Sequence, residues 1–536
     1  LRPGAVLLAV AAVLLAPSLV LGTLISHSSP QNLTWAAQFA EQVRAGVAYP
    51  RWMPDSFAGL GSPAFYFYPP LPFWIDAVVS VASFNLLSVP WRLAVTSALI
   101  LWASGLAMRG WLLAETGERT TALAGAIAYM AAPYHLLDHY LRGAFAEFTA
   151  YALLPLVMLG LHRIRERQSR GLPLLALAYA GLIASHLPTA LLCSITVIPA
   201  YVLVMARTPT SLLRCALGGV LGVGLSSIYL LPALQLQEWI SADQLWTRFY
   251  RPENWLVLAP ERWVDDRTMH IIGSLALALA VLAAGLCVAL LQMAADDPRR
   301  RPLGLWIGVG LGGLVLLAGV VPWFWDLPLV GKVQFPWRLM LVVEFALVTA
   351  LCLIPFRSLR RVVVYFFAAA GVAAVPAVTS LVEDAGQRIA HALGGAPLER
   401  HDVKEYQPRG FTAAGPRYAD LGLERFKDVP PIACTPAARV CRVETGAHGR
   451  LRIEVTADRP TTVVLRRFFF PAWRLDNGLP LAASEPLRLV SFTVPAGDMA
   501  VRLDRGMLPA ERWGLAISGL SLLALLLLVV FRGVRR

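Results

Sequence analysis

Stretches of about twenty apolar residues recur along nearly the whole chain, and they limit its fold more than any other feature. In hydrocarbon, backbone donors and acceptors must pair with one another, so an apolar run of this length crosses a bilayer as a helix. Composition agrees, since 57% of the 536 residues are hydrophobic and 15% charged, against about 25% charged in soluble chains. The chain reads as an α-helical polytopic membrane protein. Candidate spans cover 5–25, 92–113, 120–134, 147–161, 172–186, 189–206, 215–235, 270–294, 303–321, 339–356, 362–382 and 512–531, about 12 in all. A further apolar run, 71–88, carries Asp76 and Asn85 behind a proline-rich stretch and reads as an interfacial helix. The first run contains Ala-Pro-Ser, which resembles a signal-peptide cleavage site, but it is read as an uncleaved helix.

The net charge of +13 comes largely from short arginine clusters between spans, at 162–171, 297–302, 357–361 and 532–536. This is the positive-inside pattern of cytoplasmic loops and not a nucleic-acid surface. It divides the chain into a transmembrane module, 1–382, with outer loops 26–91, 236–269 and 322–338, a short outer turn at 135–146, an outer domain, 383–511, and a last helix with a basic tail, 512–536. The outer domain alternates apolar and polar residues in "RLRIEVTA", "TTVVLRRFF" and "LRLVSFTVP", with "DNG" as a turn between strands. That is strand periodicity, and a small β-sandwich is expected. Cys434 and Cys441 lie in this segment, where an extracytoplasmic location favours a disulfide.

The stretch Tyr49–Trp74, "YPRWMPDSFAGLGSPAFYFYPPLPFW", is stiff, aromatic and partly charged. Proline leaves such a loop little ordering entropy to lose. Trp52, Tyr66, Tyr68, Trp74 and, further along, Trp337 are expected to wall a substrate site, with an interfacial aromatic belt as the alternative. In "YHLLDHYLRGAFAEF", His135, Asp138, His139 and Arg142 share one stripe if the segment is an α-helix, and Glu147 follows one turn later. Ionisable groups at membrane depth usually face a cavity or a partner. Arg51, Asp55, Arg338 and His186 complete a set that is expected to converge on the outer side. His135, Asp138 and His139 have spacing that permits a metal, but no further ligand is evident.

Several motifs extend this reading. "YPRW-x-PD", "GSPAF-x-FYPPLP", "PYHLLDHYLRGAFAEF", "SHLPTALL", "VQFPWR", "EYQP" and "FFFPAWRLDNG" occur in order over nearly the whole chain. Together they resemble bacterial membrane proteins of the 6-pyruvoyl-tetrahydropterin synthase-related, YfhO-type family, which are similar to the GT-C class of membrane glycosyltransferases. The resemblance implies a GT-C-like fold in the bacterial inner (cytoplasmic) membrane, with 383–511 extracytoplasmic. It implies a polyprenyl-phosphate-linked sugar donor among membrane lipids, a glycan, lipid or protein acceptor, and possible use of a divalent cation (Mg or Mn). Arg51, Arg142, Arg338 and His186 would bind the donor phosphate. The class places an acidic residue just past the first helix, whereas this chain has "ISHSSPQN" there. His27, Asp55, Asp138 or Glu147 takes the catalytic role, or the protein binds or translocates a lipid-linked glycan without catalysis.

Overall fold

The computed structural model describes residues 2–259, 267–355, 402–410, 429–446 and 450–534. The expected span 362–382, the basic cluster 357–361 and much of 383–431 lie outside them. Among the described residues, eight helices are long and apolar enough to cross a bilayer: Val89–Thr116, Phe145–Arg165, Leu187–Met205, Pro209–Gln235, Thr268–Gln292, Arg300–Ala318, Pro336–Leu353 and Pro509–Val530. Pro3–Leu14 and Gly171–Ser185 are shorter apolar helices in the same layer. The expected span 120–134 is replaced by a helix of only 12 residues, Arg119–Met130, which runs into a broken turn described below.

Hydrogen bonds between helix ends reveal which ends lie together. At one end His162 pairs with Glu115 at 3.1 Å, Arg214 donates to the Gln168 carbonyl at 2.9 Å, and Arg301 donates to the Val204 carbonyl. This end carries the basic clusters at 162–171 and 297–302. At the other end the Thr23 N–H donates to Pro90 O at 3.0 Å and the Ser28 N–H to Arg142 O at 2.9 Å. The chain between Thr23 and Pro90 therefore leaves and returns at one end, and the run 71–88 forms a helix of 12 residues, shorter than the about 20 that a crossing needs. Its helix, Leu71–Ala82, packs beside Ser29–Arg44 and Val89–Thr116. Asp76, fully buried, accepts from Arg92 Nε at 2.9 Å and Thr96 Oγ1 at 3.2 Å. The helix Ser29–Arg44 was not expected in the opening loop. Its buried Leu33, Ala36 and Ala40 have helical spacing, masked by polar neighbours.

The C-terminal domain contains eight strands: β1 Ile432–Thr435, β2 Val440–Thr445, β3 Leu451–Ala457, β4 Thr461–Phe468, β5 Trp473–Leu475, β6 Ala482–Ser484, β7 Leu489–Val494 and β8 Gly497–Arg505. They form two antiparallel sheets, ordered β1-β4-β7-β6 and β2-β3-β8-β5. Leu451, Ile453, Val455 and Ala457 of β3 point inward and their neighbours outward, which is the alternation read in the sequence. The Cys434–Cys441 disulfide ties β1 of one sheet to β2 of the other.

The aromatic stretch joins this sandwich to the helices. Trp52 packs edge-on against Trp473 at 4.8 Å, Tyr66 lies 4.8 Å from Phe470, and Phe57 lies 5.7 Å from Phe468. The Phe468 N–H donates to Leu60 O at 2.8 Å. Gly61, at φ +85°, passes so close to the Trp52 ring that a Cβ would meet it at 2.4 Å. The stiffness of this loop has a structural use, because it presents a fixed surface to a second module.

Candidate active site

The segment 133–145 builds the site. An α-helical turn, Pro133–Leu137, passes into a π-helical turn, Asp138–Arg142, in which the Gly143 N–H reaches back five residues to Asp138 O. A π turn is wider than an α turn, so the single stripe expected of His135, Asp138, His139 and Arg142 is split. His135 turns inward, stacks on Tyr151 at 3.7 Å and bonds Tyr129 O through Nδ1 at 3.2 Å. His139 bonds Ser18 Oγ at 2.9 Å. Asp138 and Arg142 stay together. Gly143 makes the close fit possible: its φ is +59°, and a Cβ there would lie 2.3 Å from Ser26 Oγ and 2.8 Å from Ser29 N.

Arg142 is the hub of the charges. Its Nη1 donates to Tyr134 Oη at 2.6 Å, to Glu147 Oε2 at 2.8 Å and to Asp138 Oδ1 at 2.5 Å. Tyr134 Oη donates in turn to Glu147 Oε1 at 2.7 Å. Arg338 enters from the start of the helix at 336–353, with Nε 3.6 Å from Glu147 Oε2, and donates to Val333 O through Nη1 at 2.5 Å. His186 sits at the break between Gly171–Ser185 and Leu187–Ile195, within electrostatic reach of Glu147, Arg338 and Arg142, and bonds Thr189 Oγ1 at 2.7 Å. His27 lies on the rim, where its N–H donates to Leu141 O at 3.2 Å.

Aromatic groups flank the cluster. Trp337 stacks on Phe335 at 4.5 Å, and the Arg142 guanidinium lies 5.8 Å from the Trp337 ring. Tyr68 packs on Trp35 at 4.7 Å. Burial raises the Tyr68 phenol to about 12 against the opposing pull of Arg338, so it is a neutral hydrogen-bonding group. A small cavity adjoins the cluster, lined by Thr23, Ser29, Asn32, Ser97, Asp138 and His139 among others. Asp138 is fully buried, and its second oxygen has no hydrogen-bond partner among the described residues.

Other expected members lie elsewhere. Arg51 pairs with Glu511 at 2.9 Å, donates to Ile228 O at 2.7 Å and stacks on Tyr49 at 3.8 Å, so it belongs to the junction with the last helix. Trp52 and Tyr66 face the sandwich. Trp74 packs on Tyr49 at 4.8 Å and bonds Ala48 O at 3.1 Å. Asp55 is half-buried in the loop beneath the sandwich, with its N–H donating to Gln38 Oε1 at 2.8 Å. The aromatic wall is thus divided, with Tyr68 and Trp337 at the cluster and the other three at packing surfaces.

The residues fit a resident divalent cation poorly. Among the described residues no three His, Cys, Asp or Glu side chains converge as ligands. His135 and His139 diverge, and the Arg142 guanidinium occupies the place between Asp138 and Glu147 that a cation would take.

Tyr134 and Glu344 were missed in the sequence. Glu344 accepts from the Tyr134 N–H at 2.7 Å and from Tyr151 Oη at 2.9 Å, and so fixes the turn that carries the hub. Its signal was available: an acid inside the apolar run 339–356 is costly without a partner.

The sequence pattern of the 6-pyruvoyl-tetrahydropterin synthase related domain, described as a membrane protein, matches residues 65–383, more than half of the chain. No curated protein matches. Among solved structures, the chain is similar to the arabinofuranosyltransferase AftD from Mycobacteria, determined by cryo-electron microscopy, at 22% identity and a TM-score of 0.39. The match covers 68% of this chain but 26% of that one, so the chain spans about a quarter of its length. A likeness this loose says nothing about activity.

Proposed function

This chain belongs to the 6-pyruvoyl-tetrahydropterin synthase related family of membrane proteins, and from that premise we propose that it is a membrane glycosyltransferase. The donor is a sugar on a polyprenyl phosphate, and the acceptor is a glycan, lipid or protein of the cell envelope. The observation that carries this reading is the meeting of Arg142 and Arg338, distant in sequence, beside Tyr68 and Trp337 at one end of the helical layer. Guanidinium groups match phosphate oxygens and offset the charge that grows on a phosphate leaving group. Arg338 Nε makes no hydrogen bond among the described residues, which leaves a donor for a ligand oxygen. Aromatic faces suit sugar rings and isoprene units.

The site, the sandwich and its disulfide lie at the end opposite the basic clusters at 162–171 and 297–302. Disulfides persist in oxidising compartments and basic loops stay cytoplasmic. Both support an inner-membrane location with the sandwich extracytoplasmic.

A second reading, a protein that binds or translocates a lipid-linked glycan without transferring it, is favoured by one observation. Both oxygens of Glu147 and one of Asp138 are engaged by Tyr134, Arg142 and Arg338. The test uses the full chain in lipid nanodiscs, with farnesyl phosphate as binding probe and farnesyl-phosphoryl hexoses and pentoses as donors. Transfer is expected from wild type, and Glu147→Gln is expected to lose both transfer and farnesyl phosphate binding as Arg142 and Arg338 lose their anchor. Binding without turnover would select the second reading. Absence of binding would end both.

A further inference from the structure

We infer that Glu405 is the general base that takes the proton of the acceptor hydroxyl, an inference that rests on the transferase reading above. A base needs an uncommitted oxygen within reach of the attacking hydroxyl. Glu147 does not provide one, and Asp138, whose second oxygen is free among the described residues, lines a cavity that neither Tyr68 nor Arg338 borders. The chain has no carboxylate between its first helix and Glu41. Glu147 has both oxygens engaged, and Asp138 is fully buried with Arg142 on one oxygen.

Glu405 arrives from the far end of the chain. It lies half-buried on the short 3₁₀ turn Lys404–Tyr406, where its carboxylate accepts from its own backbone N–H and from no other side chain among the described residues. The turn is held on both sides. Tyr406 stacks on Phe67 at 6.1 Å with an interplanar angle of 13° and lies 5.9 Å from Trp35. The Ser241 N–H donates to Gln407 O at 2.9 Å, and the Phe57 N–H donates to Asp402 Oδ2 at 2.6 Å. The titratable groups facing Glu405 are Tyr68, from the aromatic stretch, and Tyr250, from the loop 236–259. Tyr68 is the shared neighbour, because it also lies within electrostatic reach of Arg338, Glu147 and Arg142. Tyr250 lies 5.9 Å from Phe335, which stacks on Trp337. The turn that carries Glu405 also packs against Ala242–Trp246, whose Leu245 O accepts from Gln334 Nε2 at 3.1 Å, and Gln334 Oε1 accepts from Arg338 Nη1 at 3.5 Å, so Glu405 and Arg338 flank one loop.

Burial pushes the Glu405 carboxyl up to about 7. A group of that pKa is ionised often enough to accept a proton and basic enough to hold it near neutral pH. In the step, the acceptor oxygen bonds the anomeric carbon as the bond from that carbon to the phosphate oxygen breaks. The electron pair of the broken bond stays on the phosphate, facing Arg142 and Arg338, and the hydroxyl proton moves to Glu405. The base works as the carboxylate, so turnover rises as pH passes upward through about 7.

The test compares wild type, Glu405→Gln and Glu405→Asp in nanodiscs, with farnesyl-phosphoryl hexoses and pentoses as donors. Glu405→Gln is expected to lower kcat by about 100-fold or more and to abolish the rising pH limb. Farnesyl phosphate affinity and thermal unfolding should be unchanged, and Glu405→Asp should recover part of kcat. A Glu405→Gln variant with wild-type kcat and pH profile overturns the assignment while the transferase reading stands. A wild-type protein that turns over none of these donors overturns both.

Discussion

Two buried arginine–carboxylate assemblies draw on the stretch Tyr49–Trp74, and they differ in what surrounds their charges. Around Glu511 gather Arg51 at 2.9 Å, Arg505 at 3.5 Å and Tyr66 at 3.3 Å, contributed by the stretch and by β8. Each is packed against another module, and Arg51 is 4% exposed. Around Glu147 gather Arg142, Tyr134 and Arg338, which sit on turns at helix ends beside aromatic rings and a cavity. The first assembly latches the sandwich and last helix to the bundle. The second adjoins a cavity through Asp138. A buried arginine–acid pair is therefore no sign of a binding site in itself; what lies beyond the pair decides.

Removing Glu511 should break the comparison most forcefully. Glu511→Ala leaves Arg51 buried without its carboxylate, which costs about 3–5 kcal/mol. Thermal unfolding in detergent should shift down accordingly, while farnesyl phosphate binding to the fraction still folded should persist. At the other assembly, Arg338→Met should leave unfolding nearly unchanged and weaken farnesyl phosphate by about 1.5–3 kcal/mol, roughly 10- to 150-fold. Equilibrium titration in nanodiscs reads this directly, and a variant that binds as wild type would remove Arg338 from the site.

Gly143→Ala sharpens the contrast in a different way. A side chain at φ +59° that meets Ser26 and Ser29 should cost about 1–3 kcal/mol and move Arg142. Affinity and stability should therefore fall together, unlike in either arginine assembly. The smallest effect is expected at the disulfide. Replacing Cys434 and Cys441 by serine should cost the sandwich up to about 2 kcal/mol, measured by thermal unfolding, with farnesyl phosphate affinity unchanged.

Some of this was legible because it is encoded locally. Apolar runs set the long helices, and alternation at 451–457 set β3. Asp76 and Asn85 in the apolar run 71–88 point to an interfacial helix, and the run folds into a helix of 12 residues. The helix Ser29–Arg44 escaped notice because polar residues interrupt its buried face. At the site, the i, i+3, i+4, i+7 stripe assumed α geometry, and the π turn at Asp138–Arg142 redirected His135 and His139. "EYQP" was recognised as a motif without a role, since nothing near Glu405 in sequence reports that Tyr68 is its neighbour.

The sequence by itself determined a membrane-spanning helical bundle, the end that carries its basic clusters and a disulfide-bridged β-sandwich, because periodicity, charge and cysteine spacing act over short stretches of chain. Only the tertiary structure decided which charges meet. It sent Arg51 to the sandwich junction, joined Arg142 to Arg338 through Glu147, and packed the turn of Glu405 on the loop that bonds Gln334 beside Arg338. Those pairings depend on how helix ends stack and where one turn widens, and both are settled by packing between elements far apart in the chain.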